Sequence, residues 1–418
     1  MIPAHAGAVE NTKSVMVHRN AFTVPGFRAG AAACGMRYKG RNDLALIVAE
    51  NERGCAASGV FTTNAFCAAP VELCREHLSR RGARAVFANA GIANACTGDQ
   101  GRRSALGMAR AASEALSCDP GQVLVASTGV IGMQLRLDPL VAAMPNLVAG
   151  LRPDGWEDAA KAIMTTDLVP KMASTKVEIG GKTITIGGIA KGSGMIAPNM
   201  ATLLAFACTD ADVSPDVLDY WTNKAAGLSF NSITVDGDTS TNDTLIVLAS
   251  GAAGNPRIIG TDGEASRTFG EALTAVLRDL AVQVVLDGEG ATKLIEITVS
   301  GAADSESARK AALTIANSPL VKTAFFGQDA NWGRIIAAAG RSGVALNVEK
   351  TALFFDDLCV FKGGTPVPGQ EVEDRATAIF GQKEIRVRLD LGVGDACFTA
   401  YTCDFSFDYV KINASYRS

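Results

Sequence analysis

Histidine is the scarcest chemical resource in this sequence: only His5, His18 and His77 occur, and none follows residue 77. A Ser-His-Asp triad, a histidine-rich zinc site and an H-E-x-x-H metalloprotease helix are thereby excluded from the rest of the chain. Any acyl-transfer chemistry located there needs a different general base. Cysteine is present at ten positions, but never in C-x-x-C spacing. Cys34, Cys55, Cys67, Cys74, Cys96, Cys118, Cys208, Cys359, Cys397 and Cys403 are scattered through apolar stretches. They read as small buried hydrophobes, not as a metal site or disulfide framework. A surplus of positive charge is also lacking. Lys plus Arg number 39 against 43 Asp plus Glu, a net charge of -4, so there is no basic field to hold nucleic acid. No run approaches the roughly 18 apolar residues of a membrane span. Residues 1–14 carry neither an apolar signal core nor an Arg-rich transit pattern. They read as a short frayed arm, and the protein is expected in the cytoplasm, away from membranes.

What is present is a folded composition, with 48% hydrophobic and 20% charged residues over 418 positions. That length allows two or three domain-sized units, or one large α/β body. Strand-like β-branched runs fall at residues 44–49, 85–89, 122–126, 245–248 and 294–299, and later at 352–361 and 384–389. Residues 176–186 alternate around Gly180-Gly181, a hairpin with a primed turn. Helical periodicity marks 104–116, 269–285 and 305–316. Asp138-Pro139 and Ser214-Pro215 each supply an N-cap and a first-turn proline, for helices running to 147 and 228. The elements predict layered sheets covered by helices, without strict β-α-β alternation. The clearest break in this pattern is the Gly-rich stretch 187–194.

The central segment is Lys191-Gly-Ser-Gly-Met-Ile-Ala-Pro-Asn-Met-Ala-Thr202, followed by Leu203-Leu-Ala-Phe206. A Gly-rich turn, a stiffening proline and an apolar strand follow one another. By that feature alone, a threonine at the mouth of a buried strand is a structural residue. Likewise Ser127-Thr128-Gly129 reads as an ordinary turn at a strand-to-loop exit, and Lys191 and Glu289 as solvated charges.

The segment closely resembles the self-cleavage signature of the ornithine acetyltransferase (glutamate N-acetyltransferase) family. Further blocks are similar and in the same order. They are Ala126-Ser-Thr-Gly-Val-Ile-Gly132, Ile163-Met-Thr-Thr-Asp167, Val235-Asp-Gly-Asp-Thr-Ser-Thr-Asn-Asp-Thr244 and Asp287-Gly-Glu-Gly-Ala-Thr-Lys293. Toward the C-terminus follow Leu320-Val-Lys-Thr-Ala-Phe-Phe-Gly327, Asp329-Ala-Asn-Trp-Gly-Arg334, Asp390-Leu-Gly-Val-Gly-Asp395 and Tyr409-Val-Lys-Ile-Asn-Ala-Ser-Tyr416. The resemblance implies an α/β layered α-β-β-α sandwich, of the type shared with N-terminal-nucleophile-like aminopeptidases. It implies a cut between Ala201 and Thr202, giving chains 1–201 and 202–418 that interlock, two of each per heterotetramer. Thr202 would be the nucleophile, with Thr128 (hydroxyl) and Gly129 (backbone N–H) receiving the oxyanion. Substrate contacts carry over to Thr165, Lys191, Thr202, Glu289, Asn413 and Ser418, with Thr166 an alternative to Thr165. The implied reaction is ping-pong transfer of acetyl from N-acetylornithine to glutamate, in arginine biosynthesis, with no cofactor and no metal. Some family members also take acetyl-CoA as donor. Lys191-Gly-Ser-Gly lacks the order of a P-loop, so no nucleotide motif adds to that.

The chemistry suits the shortage of histidine. An N-to-O acyl shift at Thr202, followed by ester hydrolysis, frees an α-amine beside the hydroxyl. Such an amine has an unperturbed pKa of about 7.7–8.0 and serves as a base near neutrality. The alternative is an amidase or aminopeptidase of the same architecture that hands the acyl group to water. A non-catalytic binding protein would instead keep an uncut chain.

Overall fold

The computed structural model describes residues 15–197 and 203–415, so the arm 1–14 and the pair Ala201-Thr202 lie outside the described residues. Two compact units emerge. One comprises residues 15–231 and 238–287, the other 232–237 and 288–415.

The larger unit is a layered α-β-β-α body. Its six-stranded sheet runs in the order Gly82–Ala83, Cys55–Phe61, Thr244–Ala249, Leu204–Thr209, Lys182–Lys191, Lys171–Ile179. Its four-stranded sheet runs Phe27–Ala32, Leu44–Ala49, Ala85–Ile92, Val123–Val130. Central strands such as Leu44–Ala49, Leu204–Thr209 and Thr244–Ala249 are buried at every position, as their unbroken apolar runs require. Helices Pro215–Gly227 and Glu264–Leu286 cover the six-stranded sheet. Helices Ala69–Leu78, Gly98–Leu116 and Leu137–Ala149 pack on the four-stranded one. One continuous core joins residues of both sheets.

Close packing explains the glycines at 187 and 188. A Cβ on Gly187 would sit 2.4 Å from the Phe22 ring, and one on Gly188 would press on Leu280 at 3.1 Å. These glycines are strand positions, and the expected break at 187–194 is therefore not a break up to residue 191. Strand Lys182–Lys191 pairs antiparallel with Leu204–Thr209, Lys191 standing opposite Leu204.

The smaller unit is a seven-stranded sheet. Strands Leu294–Ala302 and Glu384–Asp390 alternate between buried and less buried positions, the pattern of a sheet with one core face. Helices Ser305–Ala316, Trp332–Gly340 and Gln370–Phe380 supply the other side of that core.

Gly180 and Gly181 have φ of +60° and +73°, so the expected primed hairpin forms between Lys171–Ile179 and Lys182–Lys191. Ser214 caps Pro215–Gly227 through its side chain. Other expectations need correction. Residues 352–361 are not one strand. They form a hairpin of Ala352–Phe355 and Leu358–Lys362, turned at Asp356 with φ +50°. The helix credited to Asp138 starts earlier, at Leu137 with Arg136 as N-cap, so Asp138 and Pro139 sit in its first turn. The cysteines are all free, but only Cys74, Cys208 and Cys403 are buried, and Cys96 and Cys397 are exposed.

Phe206, only 1% exposed in the middle of the six-stranded sheet, tests this core. Phe206→Ala is expected to lower stability by about 3–5 kcal/mol, read as a shifted urea midpoint at constant m-value.

Candidate active site

Thr128 and Gly129 lie inside strand Val123–Val130, not at a loop exit as their Thr-Gly pairing suggested. Their neighbour is the parallel strand Ala85–Ile92, which slips register at Gly91 and Ile92. Such irregularities leave backbone groups outside the ladder and re-aim nearby side chains. Gly129 has φ +129°, and a Cβ there would lie 2.2 Å from the Gly91 carbonyl carbon. No other residue fits, so the chain holds Gly129 for its backbone.

Two consecutive side chains tie this strand to the start of Leu204–Thr209. Asn242 donates through Nδ2 to the Ser127 carbonyl at 2.9 Å and to the Ala93 carbonyl at 2.6 Å. Its own Oδ1 accepts from the Thr241 hydroxyl at 2.6 Å. Asp243 Oδ1 then accepts the Leu203 N–H at 3.1 Å. Residue 203 and the Thr128-Gly129 pair are therefore locked to one short polar stretch, 241–243. Thr202, Ala201 and Ser418 lie outside the described residues.

Lys191 ends strand Lys182–Lys191 and is buried, only 2% exposed, which overturns its reading as a solvated charge. Its Nζ stands 3.9 Å from Asp167 Oδ2. Asp167 organises the neighbourhood. Its Oδ1 accepts from Lys171 Nζ at 2.6 Å and from the Gly192 N–H at 2.6 Å, and its Oδ2 from the Thr165 N–H at 3.0 Å. Lys171 Nζ also reaches Asp287 Oδ2 at 2.6 Å, and Asp287 accepts the Leu168 N–H at 3.0 Å. Thr165 and Lys191 are thus brought together around one carboxylate. The Thr166 hydroxyl is engaged with the Ser193 hydroxyl at 2.6 Å.

Burial pushes the Asp167 carboxyl up, but the charges of Lys191 and Lys171 and the hydrogen bonds from Lys171 and the Thr165 N–H outweigh it and bring it down to about 2. Asp243 goes the other way. Burial raises it well above the usual carboxylate range, against the Leu203 N–H, the Thr62 hydroxyl and the charge of Lys191.

Glu289 and Asn413 belong to the smaller unit. Asn413, on helix Phe407–Ser415, donates to Glu289 Oε2 at 2.9 Å. Glu289 too is largely buried, 9% exposed, rather than a solvated charge. Its loop is fixed by Asp404, which accepts from Thr292 and from the Lys293 N–H, at 2.8 and 3.0 Å for the two backbone donors. Asp167, Lys171, Asn242, Asp243 and Asp287 were given no role from sequence. A lysine inside the apolar run Leu168-Val-Pro-Lys-Met172 was the available signal.

Two buried lysines, Lys171 and Lys191, and a strand whose ladder slips register beside Gly129 are compatible with the equipment of an acyl-transferring enzyme. A family model described as "ArgJ family" matches residues 28–418. The arginine biosynthesis bifunctional protein ArgJ of Geobacter sulfurreducens is 49% identical over 395 residues, covering 94% of this chain and 100% of that one. Its namesake from Symbiobacterium thermophilum is 50% identical, covering 94% and 97%. A crystal structure of ornithine acetyltransferase complexed with ornithine, from Mycobacterium tuberculosis, is 36% identical, with TM-score 0.40, over 46% of this chain and 100% of that one. The chain belongs to the ArgJ family.

The Asp167 cluster predicts an acid-sensitive contribution to stability. Its folded pKa of about 2 lies below the unfolded value of about 3.9. The stabilisation, of order 2 kcal/mol, is fully present above the unfolded value and is lost as pH falls through the folded one. The stability gap between wild type and Asp167→Asn is therefore expected to be constant near neutrality and to shrink between about pH 4 and pH 2 in thermal melts.

Proposed function

We propose that this acetyltransferase of arginine biosynthesis cuts itself between Ala201 and Thr202 and then carries acetyl on Thr202 from N-acetylornithine to glutamate. The observation that carries the reading is the polar stretch 241–243, whose Asn242 holds the Thr128 strand and whose Asp243 holds Leu203. Family membership and the relatives' role in arginine biosynthesis support it. The ornithine bound in the mycobacterial relative supports an ornithine-type substrate.

In the first half-reaction the α-amine of Thr202 takes the hydroxyl proton, and Oγ1 attacks the acetyl carbonyl. The oxyanion is received by the Thr128 hydroxyl and the Gly129 N–H. Collapse expels ornithine, whose amine takes the proton back from the α-amine. In the second half-reaction the glutamate amine attacks the acetyl ester, and Oγ1 leaves with a proton. Lys191 pairs a substrate carboxylate, and Asp167 fixes Lys191 and Thr165 relative to each other. The engagement of Thr166 with Ser193 favours Thr165 as the contacting threonine. Family resemblance adds Glu289, Asn413 and Ser418 to the substrate contacts. The relatives' name "bifunctional" supports acetyl-CoA as a second acetyl donor. The assembly is two copies of each chain, in the cytoplasm, without cofactor.

Denaturing intact-mass spectrometry tests the cut. Two chains are expected from wild type and one uncut chain of about 43.3 kDa from Thr202→Ala. A wild-type preparation that stays uncut refutes the reading. Thr128→Ala is expected to lower kcat about 10²–10³-fold, with the cut assayed separately. Initial-velocity lines against N-acetylornithine at several glutamate concentrations are expected to be parallel, and turnover without glutamate would mark an amidase instead.

A further inference from the structure

Lys171 begins strand Lys171–Ile179 and stands opposite Ala190, the residue before Lys191 ends the neighbouring strand. Its side chain is fully buried, and so is that of Asp167. A buried ammonium is costly unless its charge and its donors are answered. Here Nζ reaches Asp167 Oδ1 and Asp287 Oδ2 at 2.6 Å each, and the Val169 carbonyl at 3.3 Å. An ammonium has three donors, and these acceptors occupy all of them. One side chain thereby ties the start of a strand to the loop before it and to Asp287, at the end of helix Glu264–Leu286.

Asp167 is shared unequally between two lysines. Its Oδ1 is taken by Lys171 and by the Gly192 N–H, at 2.6 Å each, and its Oδ2 accepts the Thr165 N–H at 3.0 Å. Lys191 Nζ stands 3.9 Å from Oδ2, a distance for charge attraction and beyond a hydrogen bond. That attraction strengthens as the charges close and is little screened where both are buried. A carboxylate without a second ammonium to hold it would therefore draw Lys191 in. Lys171 is the second ammonium. It also balances the cluster, in which Asp167 and Asp287 face Lys171 and Lys191. Without it the surroundings of Lys191 carry surplus negative charge, which repels an incoming anion.

We propose that Lys171 is a positioning residue of the acetyl transfer. It holds Asp167 at its distance from Lys191 and offsets its charge, so that Lys191 keeps the position and the field in which it pairs a substrate carboxylate. The proposal rests on that pairing of Lys191 in the proposed function. Lys171 itself touches no substrate, and no bond changes at it.

Steady-state kinetics of Lys171→Met, Lys191→Met and Lys171→Met/Asp287→Asn test this, with the cut fraction of each preparation read by denaturing mass spectrometry. Uncut or unfolded molecules lower kcat but leave KM alone, so KM separates positioning from support of the fold. Lys171→Met is expected to raise KM for both N-acetylornithine and glutamate about 10–100-fold, because both carry an α-carboxylate, while kcat per cut molecule falls less than about 3-fold. That variant leaves Asp287 without an ammonium. Adding Asp287→Asn removes the unpaired charge and keeps an oxygen for the Leu168 N–H. The combined variant is expected to regain thermal stability toward wild type but not to regain KM. Wild-type KM in a folded Lys171→Met overturns the proposal, and so does a KM that recovers together with stability in the combined variant. Failure of both variants to fold, or a folded variant that stays uncut, also overturns it, because Lys171 would then serve the fold or the cut. Wild-type KM in Lys191→Met overturns the carboxylate pairing and this proposal with it. A raised KM in Lys191→Met beside wild-type KM in the two Lys171 variants overturns this proposal alone.

Discussion

The antiparallel pairing of Lys182–Lys191 with Leu204–Thr209 is the constraint on which the rest depends. It fixes both ends of the intervening segment 192–203 in adjacent strands of a sheet buried on both faces. A one-residue slip would turn Leu204 and Phe206 to the opposite face, so the register is held by packing as well as by hydrogen bonds. Lys191 and Leu203 are therefore placed by the sheet, Lys191 opposite Leu204 and the Leu203 carbonyl on the Thr244 N–H. The two flanks of the proposed cut share one sheet, with Thr244–Ala249 and Leu204–Thr209 from after it set between Cys55–Phe61 and Lys182–Lys191 from before it. Breaking one peptide bond leaves every ladder and the shared core in place. That is the physical content of the proposed interlocking of the two chains.

Around this sheet edge two buried carboxyls have opposite fates. Asp167 lies within reach of two ammonium groups and three or more hydrogen-bond donors, and stays ionised. Asp243 has the Leu203 N–H and a more distant charge, and desolvation wins. Lys191 feels both. Environments that push two titratable groups apart are the usual way for one site to hold both an anion and an acid at the same pH. The smaller unit shows the contrasting, purely structural use of buried charge. Lys322 is buried with its Nζ on the Thr402 hydroxyl and the Cys403 carbonyl, and burial lowers its pKa. It pins helix Pro319–Phe326 to strand Ala396–Cys403.

Much of the fold was legible because burial writes itself into runs. Leu44–Ala49 and Ser305–Ala316 have the bounds their apolar patterns predict, and Gly180-Gly181 marks its turn. The failures have specific causes. The hairpin at 352–362 hides its turn in Asp356-Asp357, inside a run otherwise apolar enough for a single strand. Thr128-Gly129 looks like a turn because glycine and threonine are turn residues. Its conformation is set instead by the close approach of Gly91 on the neighbouring strand, a contact that no local pattern reveals. Asn242 and Asp243 stand in the polar run Asp236-Gly-Asp-Thr-Ser-Thr-Asn-Asp243, which reads as a solvated loop. Asp243 is nevertheless fully buried and Asn242 only 5% exposed, because this run crosses between the two sheets' strands and its side chains answer backbone groups there. Site residues from a family motif were legible by name, whereas the carboxylates that position them were not.

The scarcity of histidine takes on a sharper meaning in three dimensions. His77, the last in the chain, is buried on helix Ala69–Leu78 with Nδ1 at 2.8 Å from the Val123 carbonyl, a contact that ties helix to strand. Its ring therefore anchors the same strand that carries Thr128. His18 lies on the exposed approach, bridging Ser174 through backbone groups. Neither ring is in a position that recommends it as a base beside Leu203. Lysine is engaged elsewhere, because Lys171 is paired with two carboxylates and Lys191 stands beside one. In the proposed function the base is instead the α-amine that Thr202 gains when the preceding bond is broken. The scarcity of imidazole and the pairing of Lys171 with two carboxylates are consistent with the proposed cut, which would supply the base.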